Sequence, residues 1–259
     1  MLSINEQWVA MCRDIVEHGV DVFPRGEPIK ELRCYQSTID MAAPILSIKE
    51  RNLGYKFMAA EAYWILSGDN RVSTIAPWSD MIRAFSDDGV TFFGSYGPKI
   101  IDQLAYCAAT IKNDEDTRQA VINIWREKPG PTRDVPCTLS LQFIVRENRL
   151  HCIDTMRSSD TWLGWPYDVF NMSMITRYLS LYINETGGKL YDVGNLYLTA
   201  GSQHIYQRNM PKIRDIITSP MVIEGLKGAT VYQPSEFKTR ANLMAWLDEQ
   251  RRLSNATTD

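Results

Sequence analysis

The sequence predicts a mixed α/β or α+β sheet protein, and three observations carry that expectation. Apolar positions recur at helical spacing through the first 114 residues, apart from one β-like stretch near residues 31–46. The period then changes to strand-like alternation between about residues 119 and 156. Helical patterns return after that without a regular helix–strand repeat, which argues against a doubly wound fold. No internal repeat, low-complexity block or Ser/Gly-rich linker breaks the 259 residues, so a single domain over residues 1–259 is expected.

Taken in order, residues 4–18 place Ile4, Trp8, Met11, Cys12 and Ile15 on one helical face. The stretch ELRCYQSTIDMAAPIL reads as strand, with a turn near Met41–Pro44. Residues 54–70, GYKFMAAEAYWILSGDN, form a helix with an apolar body, stopped by Ser67-Gly68-Asp69-Asn70. Residues 98–114 form another, with Pro98 in the first turn where its missing N–H costs nothing. QAVINIW alternates and is rich in β-branched residues, and TLSLQFIVRENRLHCIDTM reads as two strands joined by a polar turn at Arg146–Arg149. Asp168–Glu185 is a long amphipathic helix carrying Met172, Ile175, Leu179, Tyr182 and Ile183 on one face. NLYLTAGSQHIYQRN suggests a short strand, a glycine turn and a polar loop or helix, and PSEFKTRANLMAWLDEQRRL ends in an amphipathic helix.

Composition excludes several classes. With 44% hydrophobic and 23% charged residues the chain is ordinary for a globular protein, and its formal net charge of -3 argues against broad attraction to nucleic acid or anionic membranes. No apolar run approaches the roughly 20 residues that span a bilayer, and the N-terminal stretch lacks the basic region of a signal peptide. Cys12, Cys34, Cys107, Cys137 and Cys152 are odd in number and widely spaced, as expected of reduced thiols in a cytoplasm. His18, His151 and His204 are too scattered to suggest a metal cluster, so no metal is expected.

A few residues carry candidate chemistry. Cys137 follows a proline at the start of a strand; it is either a buried, inert thiol or a nucleophile, with Arg133 and other guanidiniums nearby to favour thiolate. Glu61 lies in the apolar helix segment FMAAEAYWIL; it is either on the solvent stripe or buried with a raised pKa suited to proton transfer. Arg157 sits between a strand and Ser158-Ser159-Asp160, a good place for an anion-binding turn, whereas Arg25 and Arg118 read as solvated charges. His204 and Tyr206 point the same way in an extended chain, as ordinary packing or as a hydroxyl-binding pair.

The combination Pro-Cys-x4-Gln-Phe, Arg-Ser-x-Asp-x3-Gly-x-Pro and His-x-Tyr, in that order, resembles the thymidylate synthase superfamily. Within it the chain is most similar to the pyrimidine hydroxymethylase branch, phage deoxycytidylate enzymes above all. The anchors EAYWILSGDN, NDEDTRQAVINIW, VPCTLSLQF, MRSSDTWLGWPYD and GSQHIYQRN spread the resemblance from about Arg25 to Tyr206. It implies a large twisted mixed β-sheet covered by helices, in a homodimer packed sheet to sheet. It implies Cys137 as nucleophile, Glu61 as the acid/base residue that orders water, and Tyr96 near the nucleophile. Arg157, Ser158 and, on a shorter match, Arg25 would bind the 5′-phosphate, with Arg118 reaching the partner subunit's site. Gln142 and Asp160 would line the base and the site, and His204 and Tyr206 would hold the sugar 3′-hydroxyl. The implied one-carbon donor is 5,10-methylenetetrahydrofolate.

The departures from the synthase pattern refine this. Asp168 stands where synthases have Asn; a carboxylate can accept from the amino group of cytosine and share a proton with its ring nitrogen. Asp is also a common helix N-cap. Thr138 replaces the usual His after the nucleophile, and Gln119 replaces a second arginine. The polar end RRLSNATTD differs from the apolar closing segment of synthases, so an open site that admits water is expected. The resulting expectation is hydroxymethyl transfer to carbon 5 of dCMP. The alternatives are CMP hydroxymethylation, dCMP methylation, a dUMP-specific relative, and a non-catalytic nucleotide or RNA binder.

Overall fold

The computed structural model describes residues 1–126, 128–226 and 236–253. Among the described residues six strands form one mixed sheet in the order β1-β2-β6-β5-β4-β3, covered by helices, as the family resemblance implies. Helix α1 (Ile4–His18) begins in a capping box, where Ser3 and Glu6 satisfy each other's backbone N–H groups. It is followed by the edge strand β1 (Val20–Val22) and the long strand β2 (Ile29–Asp40). Helix α2 (Tyr55–Leu66) and the short α3 (Val72–Ile75) precede α4 (Gly97–Asn113). Then come β3 (Val121–Asn123), β4 (Thr138–Arg146) and β5 (Arg149–Asp160). The chain continues through α5 (Trp165–Glu185), β6 (Asp192–Tyr206), α6 (Met210–Thr218), α7 (Pro220–Gly225) and α8 (Arg240–Arg252).

The β4–β5 hairpin turns at Glu147 and Asn148, both at positive φ, the geometry that matches the twist of paired strands. Strands β5 and β6 run parallel, and the connection between them is α5, which packs back on both. Alternation sets the two faces. Leu141, Phe143, Cys152, Met156, Leu196, Leu198 and Ala200 point into the helical layer and are at most 2% exposed. Ile144, Ile153, Tyr197 and Thr199 point the other way and are only half-buried. The buried apolar side chains form one contiguous cluster.

Two expectations are corrected. Helix α5 starts at Trp165 rather than Asp168, because Gly164 takes the N-cap position and Pro166 fits the first turn. Residues 192–206 form one 15-residue strand rather than a short strand ended by a glycine turn. Gly201 does not turn the chain; a Cβ there would stand 3.0 Å from the Arg157 carbonyl oxygen, so glycine lets β6 lie against β5. The polar chain end RRLSNATTD, expected to leave the site open, falls largely on residues 254–259, outside the described residues. Among the described residues, no helix is long and apolar enough to cross a membrane, and the five cysteines are free thiols.

Trp8 ties α1 to the end of β5. It is fully buried, its indole Nε1 donates to the Thr161 carbonyl at 2.8 Å, and its ring lies 6.1 Å from that of Trp162. Trp8→Ala is expected to cost about 3–5 kcal/mol, read as a lower urea midpoint with the m-value unchanged.

Candidate active site

Cys137 is the last residue before β4, and β5 runs antiparallel beside it. The Arg157 backbone N–H donates to the Cys137 carbonyl at 2.8 Å. The Arg157 guanidinium then folds back over the same segment, donating to the carbonyls of Pro136 and Val135, each at 2.9 Å. It also reaches the Ser158 hydroxyl at 3.1 Å and the Cys137 sulfur at 3.6 Å. The Ser158 hydroxyl lies 3.7 Å from that sulfur. One side chain thus fixes both the backbone that carries the thiol and the charge beside it.

Burial is the largest influence on the Cys137 thiol and pushes its pKa up; Arg157, Ser158 and Arg25 pull it down, and Asp168 opposes them. The net direction is upward, so the free chain favours the thiol over the expected thiolate. Arg133 is not among the groups that act on it. Its guanidinium is held by Asp87 and by the Ser86 carbonyl. Arg25 is exposed on the loop before β2 at φ 54, yet close enough to act on the sulfur.

The acids converge from three elements. Glu61 of α2 is partly buried and accepts from the Asn171 amide of α5 at 2.8 Å. Burial raises its pKa to about 7 against the pull of that hydrogen bond. Asp168 lies in the first turn of α5, but Gly164 is the N-cap, so Asp168 is not spent on capping. Its carboxyl accepts no hydrogen bond among the described residues. Burial first, then Glu61, Asp154 and Asp160, hold it well above the usual carboxylate range. At the end of β5, Asp160 uses Oδ1 to accept the N–H groups of Trp162 and Leu163, at 2.8 and 3.0 Å, while its buried Oδ2 has no partner among the described residues.

The remaining candidates separate into two groups. Tyr96 sits at the N-cap of α4, and its hydroxyl accepts the Thr138 N–H at 3.0 Å. Gly97 permits this placement: a Cβ there would stand 2.8 Å from the Ile65 carbonyl oxygen, so only glycine lets α4 start this close to α2. His204 pairs with Asp160 across β5 and β6 and packs edge-on against Tyr206 at 5.4 Å. Gln142 and Arg118 are not brought to this cluster. Gln142 lies five residues along β4 from Cys137, roughly 16 Å at strand rise, and donates to the Arg118 carbonyl at 2.7 Å. The Arg118 guanidinium is exposed and makes no hydrogen bond or ion pair among the described residues.

Three residues were not legible as site residues. Asn171 holds Glu61, and its position one helical turn after Asp168 was the available signal. Arg51 donates through Nε to the Trp162 carbonyl at 3.1 Å and stacks over that indole at 4.3 Å, bracing the wall after Asp160. Asp154 is fully buried. An acid in the apolar phase of Leu150, Cys152 and Met156 was the mark that could have found it. Among the described residues, no group of three or more His, Cys, Asp or Glu could hold a metal ion.

Residues 6–225 match the sequence profile of the thymidylate synthase family. The chain is similar to the deoxyuridylate hydroxymethyltransferase of Bacillus phage SP01, at 31% identity over 214 residues, covering 74% of this chain and 54% of that protein. It therefore spans about half the length of that relative. It is also similar to the thymidylate synthase of Francisella tularensis subsp. holarctica, at 23% identity over 245 residues, covering 85% of this chain and 87% of that one.

The buried acids set a pH dependence of stability. Glu61 and Asp154 have folded-state pKa values raised from 4.5 and 3.8 to about 7 and about 8. The folded chain therefore binds more protons than the unfolded one across that window, and stability falls as pH rises from about 4 to about 8. Thermal unfolding across this range is expected to show that decline, and Glu61→Gln to flatten its part below pH 7.

Proposed function

From its place in the thymidylate synthase family, to which the chain belongs, and from the geometry around Cys137, we propose that it transfers a one-carbon unit to carbon 5 of a pyrimidine nucleoside monophosphate. The product is the hydroxymethyl nucleotide, and dCMP is the substrate of this reading. The observation that carries it is the partly buried Cys137 sulfur, 3.6 Å from a guanidinium nitrogen and 3.7 Å from a hydroxyl, beside acids whose protons are held near neutral pH.

Arg157, Ser158 and Arg25 receive the 5′-phosphate, and His204 with Tyr206 receives the sugar. Such clamping fixes the ring over the sulfur and can supply several kcal/mol of the barrier. Sγ of Cys137 adds to carbon 6, and the electron pair of the ring double bond becomes available at carbon 5. Carbon 5 bonds the one-carbon unit and gives up its proton; the bond from that unit to the donor nitrogen would then break, its electron pair leaving with the donor and an exocyclic methylene remaining on the ring. Water, ordered by Glu61, adds to the exocyclic carbon; loss of Cys137 restores the double bond. Tyr96 holds the Thr138 backbone and with it the start of β4.

The unpartnered, buried Oδ2 of Asp160 and the exposed Leu163 beside it fit an N–H-bearing heterocycle such as that of 5,10-methylenetetrahydrofolate. When bound, that group supplies the one-carbon unit. The half-buried sheet face of Ile144, Ile153 and Tyr197 supports a homodimer, and the unpaired Arg118 supports its service to the partner's site. Free cysteines support a cytoplasmic setting.

A second reading takes dUMP as substrate. The name of the phage relative favours it, and the environment of Asp168 is compatible with it. A protonated carboxyl accepts from the ring N3–H of uracil and donates to its carbonyl at position 4.

Mass analysis of products from dCMP, dUMP and CMP with 5,10-methylenetetrahydrofolate tests both. A hydroxymethyl gain on dCMP supports the first reading, the same gain on dUMP the second, and a methyl gain removes the water step. Cys137→Ser is expected to lower turnover by roughly 10⁴-fold or more while nucleotide binding persists. Asp168→Asn is expected to shift preference toward uracil; unchanged preference would sink base reading by that residue.

A further inference from the structure

We propose that Asp154 is a positioning residue for base recognition: from the buried face of β5 it keeps Asp168 a hydrogen-bond donor, so that Asp168 offers the pyrimidine edge both a donor and an acceptor. The assignment rests on the nucleotide reading above and deepens it.

Asp154 occupies a place where structure alone asks for an apolar residue. Its neighbours on that face of β5 are Cys152 and Met156, both at most 2% exposed, and Asp154 itself is fully buried. Among the described residues neither of its oxygens accepts a hydrogen bond of normal geometry, and the one donor near enough to lower its pKa is the Thr138 hydroxyl. The polar group beside it is the hydroxyl of Thr138, also fully buried and also without a partner. Thr138 follows the nucleophile directly, so this unsatisfied pair lies at the base of the site rather than in a remote part of the core. A buried carboxyl with no cation beside it and a single hydroxyl for company opposes folding when ionised, so its presence in an apolar stripe points to use.

The groups around the two acids show what that use is. Asp168 is faced by Glu61 of α2 and by Asp154 and Asp160 of β5, with Tyr96 and Cys137 close by. Asp154 is faced by Asp168 of α5, by Cys152 on its own strand and by Thr138 of β4. No cation acts on either acid. Burial raises the Asp154 pKa to about 8, and burial with three like charges raises that of Asp168. Two carboxyls so placed resist ionising together, which leaves a proton on the pair. With that proton, Asp168 can donate to the ring nitrogen of cytosine and accept from its amino group, or donate to the position-4 carbonyl of uracil and accept from its N3–H. Without it, Asp168 can only accept, and its second oxygen faces a lone pair in either base.

Titration calorimetry of dCMP and dUMP across neutral to alkaline pH tests this on the full chain. In the unaltered chain, binding weakens on an alkaline limb as the donor is lost. In Asp154→Asn, an isostere without charge, that limb is expected to move to lower pH for both nucleotides. Asp154→Leu, suited to the apolar surroundings, is expected to move it the same way and serves if the first variant folds poorly. A limb that stays in place while affinity drops evenly at every pH would mark Asp154 as structural only and overturn the assignment. Failure of the unaltered chain to bind either nucleotide would overturn the nucleotide reading itself, and this assignment with it.

Discussion

The grip of Arg157 on residues 135–137 is the interaction on which the site depends. Strand pairing brings β5 beside β4, but pairing alone would leave the stretch before β4 free to splay. Two guanidinium bonds to carbonyls and one backbone bond hold it. The charge that holds the backbone is also the charge beside the sulfur, so position and electrostatics cannot be separated by mutation at Arg157. Charge-assisted bonds of this kind are stronger than neutral ones and fix geometry as well as energy.

Against that cation stands a set of acids in a poorly solvated place. Glu61, Asp154, Asp160 and Asp168 all have raised pKa values, and burial is the first cause in each. The site therefore stores protons rather than negative charge, at a cost to stability that other parts of the fold offset. One offset is the apolar layer beneath it: Trp8, Trp165 and Phe170 are at most 2% exposed. Another is the set of fixed polar bonds around the acids, such as those of Asn171 to Glu61 and of Arg51 to the Trp162 carbonyl.

Legibility in the sequence followed the strength of local signals. The hairpin at Arg146–Arg149 and the helix at Pro98 were readable because turn chemistry and first-turn proline act within a few residues. The strand at residues 192–206 was misread because Gly201 carries the same letter whether it turns a chain or lets two strands meet. Asp154 was passed over because a single acid in an alternating strand is ordinary until the face it points to is known. Gln142 was grouped with the nucleophile by motif, yet it lies midway along β4, where it donates to the Arg118 carbonyl.

By itself the sequence determined the mixed class of the fold, its main helices and strands, and the family motifs around Cys137. These depend on periodicity and on motif order, which are properties of neighbours along the chain. Only the tertiary structure decided which acids face one another, that Arg157 rather than Arg133 attends the thiol, and that Asp168 is free of capping duty. Protonation is set by burial and by charges across space, and residues 61, 154, 160 and 168 come from different elements or from separate points of one strand. No reading along the chain carries that information, because the low dielectric that raises their pKa values exists only once the layers close.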